Sequence, residues 1–372
     1  MREQALLEKA IGRTGRLIAV EPFGHGSIAR FTIDDGEWAG EWFVDTSRLP
    51  VAVETGFVVR TGDGAPVARI WKHPLDPRLP ALRTAVDPER LARISAAAGS
   101  SGAIEARVLA YRPGRRAVVR ITQHGVHLFV KVVRPAEAED LVAIHEACRA
   151  VGVPAPEVVH WSPSGVVVVR DAIGTPGPVT AATMPADDVV DAVDALRERL
   201  LTVRTRRIAR ASVATRIDWH LARIGEALPD RAADVRALAP FVIANARRVG
   251  PPRVIHGDLH IGQLFFHGSA VSSVIDVDTA GLGDPADDCA AFVGHATASA
   301  VRNDVAGRAA DAELLQDLAD AAEERWLDSA HTRALTALHL LGHGIRAAER
   351  SPEAASLLLD RALEVTGLRP RR

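Results

Sequence analysis

His256-Gly257-Asp258-Leu259-His260-Ile261-Gly262-Gln263 is the stretch on which the fold and the chemistry turn. It follows the apolar pair Val254-Ile255, and thirteen positions after Gln263 comes Asp276, in Val274-Ile275-Asp276-Val277-Asp278. Gly283-Asp284-Pro285 and Asp288 come next. The spacing predicts a loop bearing an acid and an amide, then a short hairpin, then a strand end with two more acids. Phosphoryl transfer calls for such a set: one carboxylate to accept a hydroxyl proton, with a neutral oxygen donor and further carboxylates to hold magnesium against nucleotide phosphates. His256 and His260 lie four apart, but Gly257 occupies the place where a zinc-binding helix needs Glu, and glycine favours a loop. His256 is read as a brace for the loop. His260 is either loop support or an acceptor contact.

These segments resemble the catalytic and metal-binding loops of the kinase-like superfamily, and within it the aminoglycoside phosphotransferase-like kinases. The resemblance rests on His-x-Asp, an amide five residues after the Asp, an Ile-Asp strand end and a Gly-Asp-Pro-x-x-Asp turn. It implies that Asp258 is the catalytic base, that Gln263 and Asp276, with Asp278, bind Mg2+, and that ATP is the phosphoryl donor. The family pattern has Asn where Gln263 stands; Gln keeps the amide oxygen and adds a methylene. His-Gly-Asp-Leu-His-x-Gly-Gln resembles the actinobacterial maltokinase and glucosamine kinase branch. The run Asp278 to Pro285 is similar to the glucosamine kinase side of it, which implies a sugar acceptor, glucosamine first, with maltose or an aminoglycoside as alternatives. A non-catalytic nucleotide-binding module is a further alternative, against which Asp258, Asp276 and Lys131 all stand. Asp288, Glu324 and Trp326 are the residues expected to meet an amino sugar, with His260.

Composition narrows the classes. At 372 residues the chain can bury a large core and form two or three domains. A net charge of −2 leaves no basic footprint for nucleic acid and no polybasic membrane patch. The start, Met1-Arg2-Glu3-Gln4, lacks an apolar signal segment, and no run approaches a membrane span, so a cytoplasmic protein is expected. Two widely separated cysteines, Cys148 and Cys289, are expected to be reduced and buried.

Of the 45 basic residues only three are lysine, so a lysine inside an apolar strand stands out. Lys131 lies in Leu128-Phe129-Val130-Lys131-Val132-Val133, and strand alternation places it on one face with Phe129 and Val133. An ammonium there needs a partner. Around it the order is a hairpin with a turn at Arg112 to Arg116, the Lys131 strand, an amphipathic helix from Glu137 to Val151, a strand at Val166 to Val169 and a linker at Arg170 to Gly174. That order resembles the nucleotide-binding lobe of a kinase. The resemblance implies that Glu146, or else Glu139, pairs with Lys131 at the nucleotide phosphates, and that adenine sits beside Val169, Arg170 and Ile173. No Gly-x-Gly-x-x-Gly loop is present; the Arg112 to Arg116 turn either grips phosphate or is an ordinary solvated turn.

The expected fold is therefore a bilobal kinase-like α/β (α+β) enzyme. Its segments are a β-rich cap-like subdomain over 1–102, a small nucleotide-binding lobe over 103–176 and a mainly helical catalytic lobe over 177–372. Gly99 to Gly102 reads as a hinge. Periodicity predicts helices over Asp187 to Thr205, Val213 to Leu228, Arg231 to Val249, Ala309 to Leu327 and Ala334 to Ala348.

Overall fold

The computed structural model describes residues 2–62, 64–99, 102–248 and 250–368. The expected hinge falls partly on Ser100 and Ser101, outside the described residues. The chain divides into two compact units, one made of 1–143 with 157–171, the other of 144–156 with 172–372.

The first unit holds two antiparallel sheets. Helix α1 (Arg2–Ile11) precedes β1 (Arg16–Phe23), β2 (Gly26–Ile33), β3 (Gly40–Asp45), β4 (Phe57–Arg60) and β5 (Pro66–Lys72), which form a sheet in the order β1-β2-β3-β5-β4. Two helices follow, α2 (Leu82–Ala85) and α3 (Pro88–Ala97). Asp87 starts α3 by accepting a hydrogen bond from the Arg90 amide, with Pro88 in the first turn. The second sheet takes β6 (Glu105–Arg112), β7 (Arg116–Gln123) and β8 (Val126–Val132), then, after α4 (Pro135–Ala150), β9 (Val158–Ser162) and β10 (Val166–Arg170), in the order β6-β7-β8-β10-β9.

The cap-like segment is joined to the second sheet through one core. Leu82 and Leu91 of the two helices pack with Val119, Ile121, Leu128 and Val130 of the sheet, all buried. A polar network adds to it. Asp76 accepts hydrogen bonds from the Tyr111 hydroxyl at 2.9 Å and the Gly114 amide at 2.7 Å. Arg78 forms a buried ion pair with Asp45. The Arg112–Arg116 turn is accordingly neither loose nor fully solvated: Gly114 is buried, and Arg115 lies over the Phe23 ring at 4.9 Å and donates to the Pro22 carbonyl.

The second unit is mainly helical. It contains β11 (Thr175–Pro176), α5 (Gly177–Thr180), α6 (Ala186–Leu200), α7 (Ile217–Ala227) and α8 (Ala232–Asn245). Then come β12 (Arg253–Ile255), β13 (Leu264–His267), β14 (Ala270–Val274), β15 (Gly281–Gly283) and four helices, α9 (Pro285–Val305), α10 (Ala309–Trp326), α11 (Ala330–Ala348) and α12 (Pro352–Val365). Two expected helices are shorter than their periodicity suggested. The first stops at Leu200, where the Thr202 hydroxyl bonds back to the Arg199 carbonyl, and the helix expected to reach Val249 stops at Asn245. Besides the one-turn α5, two long helices were not expected. Twelve of the 21 residues of α9 are buried, so it shows no single apolar stripe to read. By contrast, α12 starts with a legible Ser351-Pro352 cap.

Among the described residues no helix is long and apolar enough to cross a membrane. Cys148 and Cys289 are free and buried, and burial pushes both thiols up to about 12.

Candidate active site

The expected catalytic loop connects β12 to β13. β12 pairs with β15, which anchors the loop's start beside the segment that follows Asp276. The turn at Gly257 has φ +81, and a Cβ there would come within 2.6 Å of the Thr279 carbonyl, so glycine is required. Its amide and that of His256 both donate to Asp288, at 2.8 and 2.7 Å. Asp288 is 2% exposed, and burial raises its pKa against the stabilising charge and hydrogen bonds of His256. It is a brace for the loop, with both carboxylate oxygens engaged, and does not line the cavity beside Asp258. His256 completes the brace through Nε2, 2.9 Å from the Ile275 carbonyl, as its sequence position suggested.

Asp258 projects from this braced turn with its side chain 25% exposed. Arg210 pairs with it at 2.7 Å, and His295 Nε2 lies 3.8 Å away. Burial opposes ionisation, but the His295 interaction and the Arg210 charge outweigh it and hold the carboxyl well below the usual carboxylate range. His260 caps the short 3-10 turn at Ile261–Gln263 by accepting from the Gly262 amide. Its ring stacks on His295 at 4.3 Å, and burial, then the His295 charge, lowers its pKa to about 4. His260 thus serves the loop and lies against His295, the neighbour of Asp258.

Gln263 is 6% exposed, and its side-chain oxygen is buried with no hydrogen-bond partner. A buried unsatisfied carbonyl is costly unless something else occupies it. Its backbone is fully used: the amide bonds to His260 and the carbonyl accepts from Ile275. Asp276 follows β14 in the left-handed conformation, φ 61, which costs a non-glycine residue on the order of 1–3 kcal/mol and is concentrated at functional positions. Asp278 lies 3.5 Å from His145 Nε2, and Arg207 donates to its carbonyl. Among the described residues no three His, Cys, Asp or Glu side chains converge as a metal-binding group. Gln263, Asp276 and Asp278, on the turn and hairpin, offer an amide oxygen and two carboxylates. All are hard oxygen ligands, which suits magnesium and not zinc.

The other expected residues are placed as follows. Lys131 is buried on β8, in register with Val118 and Val167, on the strand face opposite Leu128, Val130 and Val132. Glu146 and Glu139 are both exposed on α4, whereas the neighbouring His145 is buried and turned to Asp278. Val169 is buried and Arg170 pairs with Glu157. Ile173 is 73% exposed, with its backbone amide and carbonyl held by the Ser273 and Ser272 hydroxyls. Glu324 is exposed on α10. Trp326 is a core residue: 7% exposed, edge-on to Phe292, its indole N–H donating to Asp194.

A cavity of about 420 Å3 opens beside Asp258. Asp287 and Trp219 line it, and Asp288, Glu324 and Trp326 do not. Asp287 accepts from Ser212 at 2.8 Å, and burial pushes its pKa up to about 6. Arg210, His295 and Asp287 escaped the sequence reading. Arg210 sits in an arginine-rich run with nothing local to single it out, and the other two lie on the helix that had no readable stripe.

The phosphotransferase enzyme family model matches residues 100–338. No curated protein matches the chain. Among solved structures, a thermostable mutant of aminoglycoside phosphotransferase APH(4)-Ia in ternary complex with ADP and hygromycin B is similar at a TM-score of 0.50 and 13% identity, over 74% of this chain and 97% of that one. A second such mutant, with AMP-PNP and hygromycin B, gives the same values. The streptomycin-ATP-APH(2'')-IIa ternary complex matches at a TM-score of 0.48 and 13% identity, over 77% and 98%. With a sheet-rich N-terminal region, a helical C-terminal region and a family match across most of its length, the chain belongs to the phosphotransferase enzyme family and has its kinase-like α/β fold.

Proposed function

We propose that the protein transfers the γ-phosphoryl group of ATP to a hydroxyl of a small, sugar-like acceptor, with Asp258 as the base. One observation carries this reading: the braced loop that presents Asp258 to a cavity of about 420 Å3 also buries an unsatisfied amide oxygen on Gln263, five residues on. Asp258 is held ionised by Arg210 and His295, so it can orient the acceptor hydroxyl and receive its proton. Its low basicity suits a loose transition state in which the proton moves late. Gln263, Asp276 and Asp278 are the residues that would hold magnesium, which when bound neutralises charge on the phosphates. Lys131 is assigned to the nucleotide phosphates, and Val169, Arg170 and Ile173 to the adenine side. ATP as donor is consistent with the nucleotides in the similar structures.

Glucosamine phosphorylation, the acceptor favoured by the Asp278 to Pro285 run, rests on that run. Of the residues expected to meet its ammonium, Asp288 braces the loop and Trp326 is in the core. Asp287 is the carboxylate other than Asp258 in the cavity wall. ATP consumption with magnesium, screened over sugars and aminoglycosides, tests the proposal. Asp258→Asn should keep the fold and lower turnover by about 10²–10⁴; a folded variant with wild-type turnover would remove Asp258 as the base.

A further inference from the structure

The walls of the cavity beside Asp258 carry charges that bear on the acceptor. Besides histidines, its ionisable lining groups are Arg210, Arg216, Arg346, Asp258 and Asp287. Both carboxylates are engaged within the protein. Asp258 pairs with Arg210 at 2.7 Å, and Asp287, 8% exposed, accepts from Ser212 at 2.8 Å. Arg216 is exposed, its guanidinium 4.1 Å from the Trp219 ring centroid, and among the described residues no carboxylate pairs with it. Arg346 comes from a separate element, α11, and contacts His343 at 3.2 Å. The buried histidines stay neutral and leave that balance unchanged. Burial, then the His295 charge, lowers His339 to about 3 and His343 to about 2. An adjoining cavity of about 620 Å3 shares His295 and Arg346 and adds Arg302 and Arg350 against Glu349 alone.

We infer that the acceptor carries an anionic group, a carboxylate or a phosphate monoester, beside the hydroxyl it offers, and that Arg216 binds that group. The inference rests on the reading of Asp258 as the base of a hydroxyl kinase. A guanidinium presents a planar fork of N–H donors matched to either anion. A polycationic acceptor would meet Arg216 as a like charge, and an amino sugar would find, besides Asp258, only the largely buried Asp287. In the reaction, the bond from the γ-phosphorus to the bridging oxygen of ATP breaks and a bond to the acceptor oxygen forms. The hydroxyl proton passes to Asp258 and ADP leaves.

The test is initial-rate kinetics with ATP and magnesium over matched acceptors: glucose and maltose as neutral, glucosamine and hygromycin B as cationic, gluconate and glucuronate as carboxylates, glucose 6-phosphate as the phosphate arm. At least one anionic acceptor should exceed its neutral counterpart in kcat/KM by about tenfold or more, the worth of one charge-assisted hydrogen bond. Arg216→Gln should bring that ratio to within about threefold, raising the acceptor KM more than the ATP KM, and Arg216→Lys should fall between. Leadership by a neutral or cationic acceptor, or an unchanged ratio in Arg216→Gln, would overturn the inference. Calorimetry of the same anions with the ADP- and magnesium-loaded protein separates the two readings. Anion binding weakened in Arg216→Gln, without turnover of any acceptor, would count against the kinase proposal and support the anion site; no anion binding would overturn the site.

Discussion

Gln263 is where a single atom carries the most consequence. Its oxygen is buried without a hydrogen bond, although the surrounding backbone is fully satisfied. If it is a magnesium ligand, Gln263→Ala should raise the magnesium concentration needed for half-maximal ATP turnover by about tenfold or more, in line with the loss of one ligating group. Gln263→Asn, which keeps the amide oxygen on a shorter arm, should fall between. A wild-type magnesium titration for Gln263→Ala would remove it from the metal site. At this scale the sequence was informative wherever the candidate residues lie at short spacing. Asp258, Gln263 and Asp276 lie on one loop and one hairpin, so their order in the chain is their order in space. Arg210 and His295 reach Asp258 from 48 and 37 positions away in the sequence, with no local pattern to mark them. Asp288 was legible as an acid but not as a brace, because its role is to accept two backbone N–H groups, which no side-chain pattern records.

At the scale of elements, the helix that follows Gly283-Asp284-Pro285 decides the site's surroundings. Asp284 caps α9 by accepting from the Ala286 amide, and Pro285 sits in its first turn. That start was readable; the helix beyond it was not, because it packs against neighbours on several sides. Gly294 shows how tight one of those contacts is: a Cβ would come within 2.7 Å of the His339 Cβ on α11. Gly294→Ala should therefore destabilise the protein by about 1–3 kcal/mol despite alanine's better helix propensity, the usual cost of overpacking. Urea denaturation measures it. A gain in stability, as propensity alone would give, would show that the α9–α11 contact yields freely. The strands around Lys131 were readable for the opposite reason: β8 alternates strictly, with Leu128, Val130 and Val132 in the core and Lys131 on the other face.

At the scale of the molecule, buried histidines set the response to acid. The folded protein keeps His339 and His343 neutral, with pKa values lowered to about 3 and 2 from an ordinary 6.5, burial being the main cause. Between those values and 6.5 the unfolded chain binds protons that the folded chain does not, so stability is complete above pH 6.5 and falls as the pH drops through that window. At pH 5 each such histidine should cost on the order of 2 kcal/mol relative to pH 7.5. A thermal melting series from pH 7.5 to 5 should show a marked fall in Tm, shallower in His343→Leu. Equal slopes in the two proteins would mean that His343 is protonated in the fold.

The joint core of the first unit has a consequence for how much chain the second sheet needs. The family match begins at residue 100, after both helices that cover the second sheet. Yet Val119, Ile121, Leu128 and Val130 are shielded by Leu82 and Leu91, which lie before that point. A chain begun where recognisable kinship begins would turn that apolar face to water and invite association. The family match and the core thus draw their borders in different places. The residues ahead of the family match are part of what the second sheet of this protein requires to bury its apolar face.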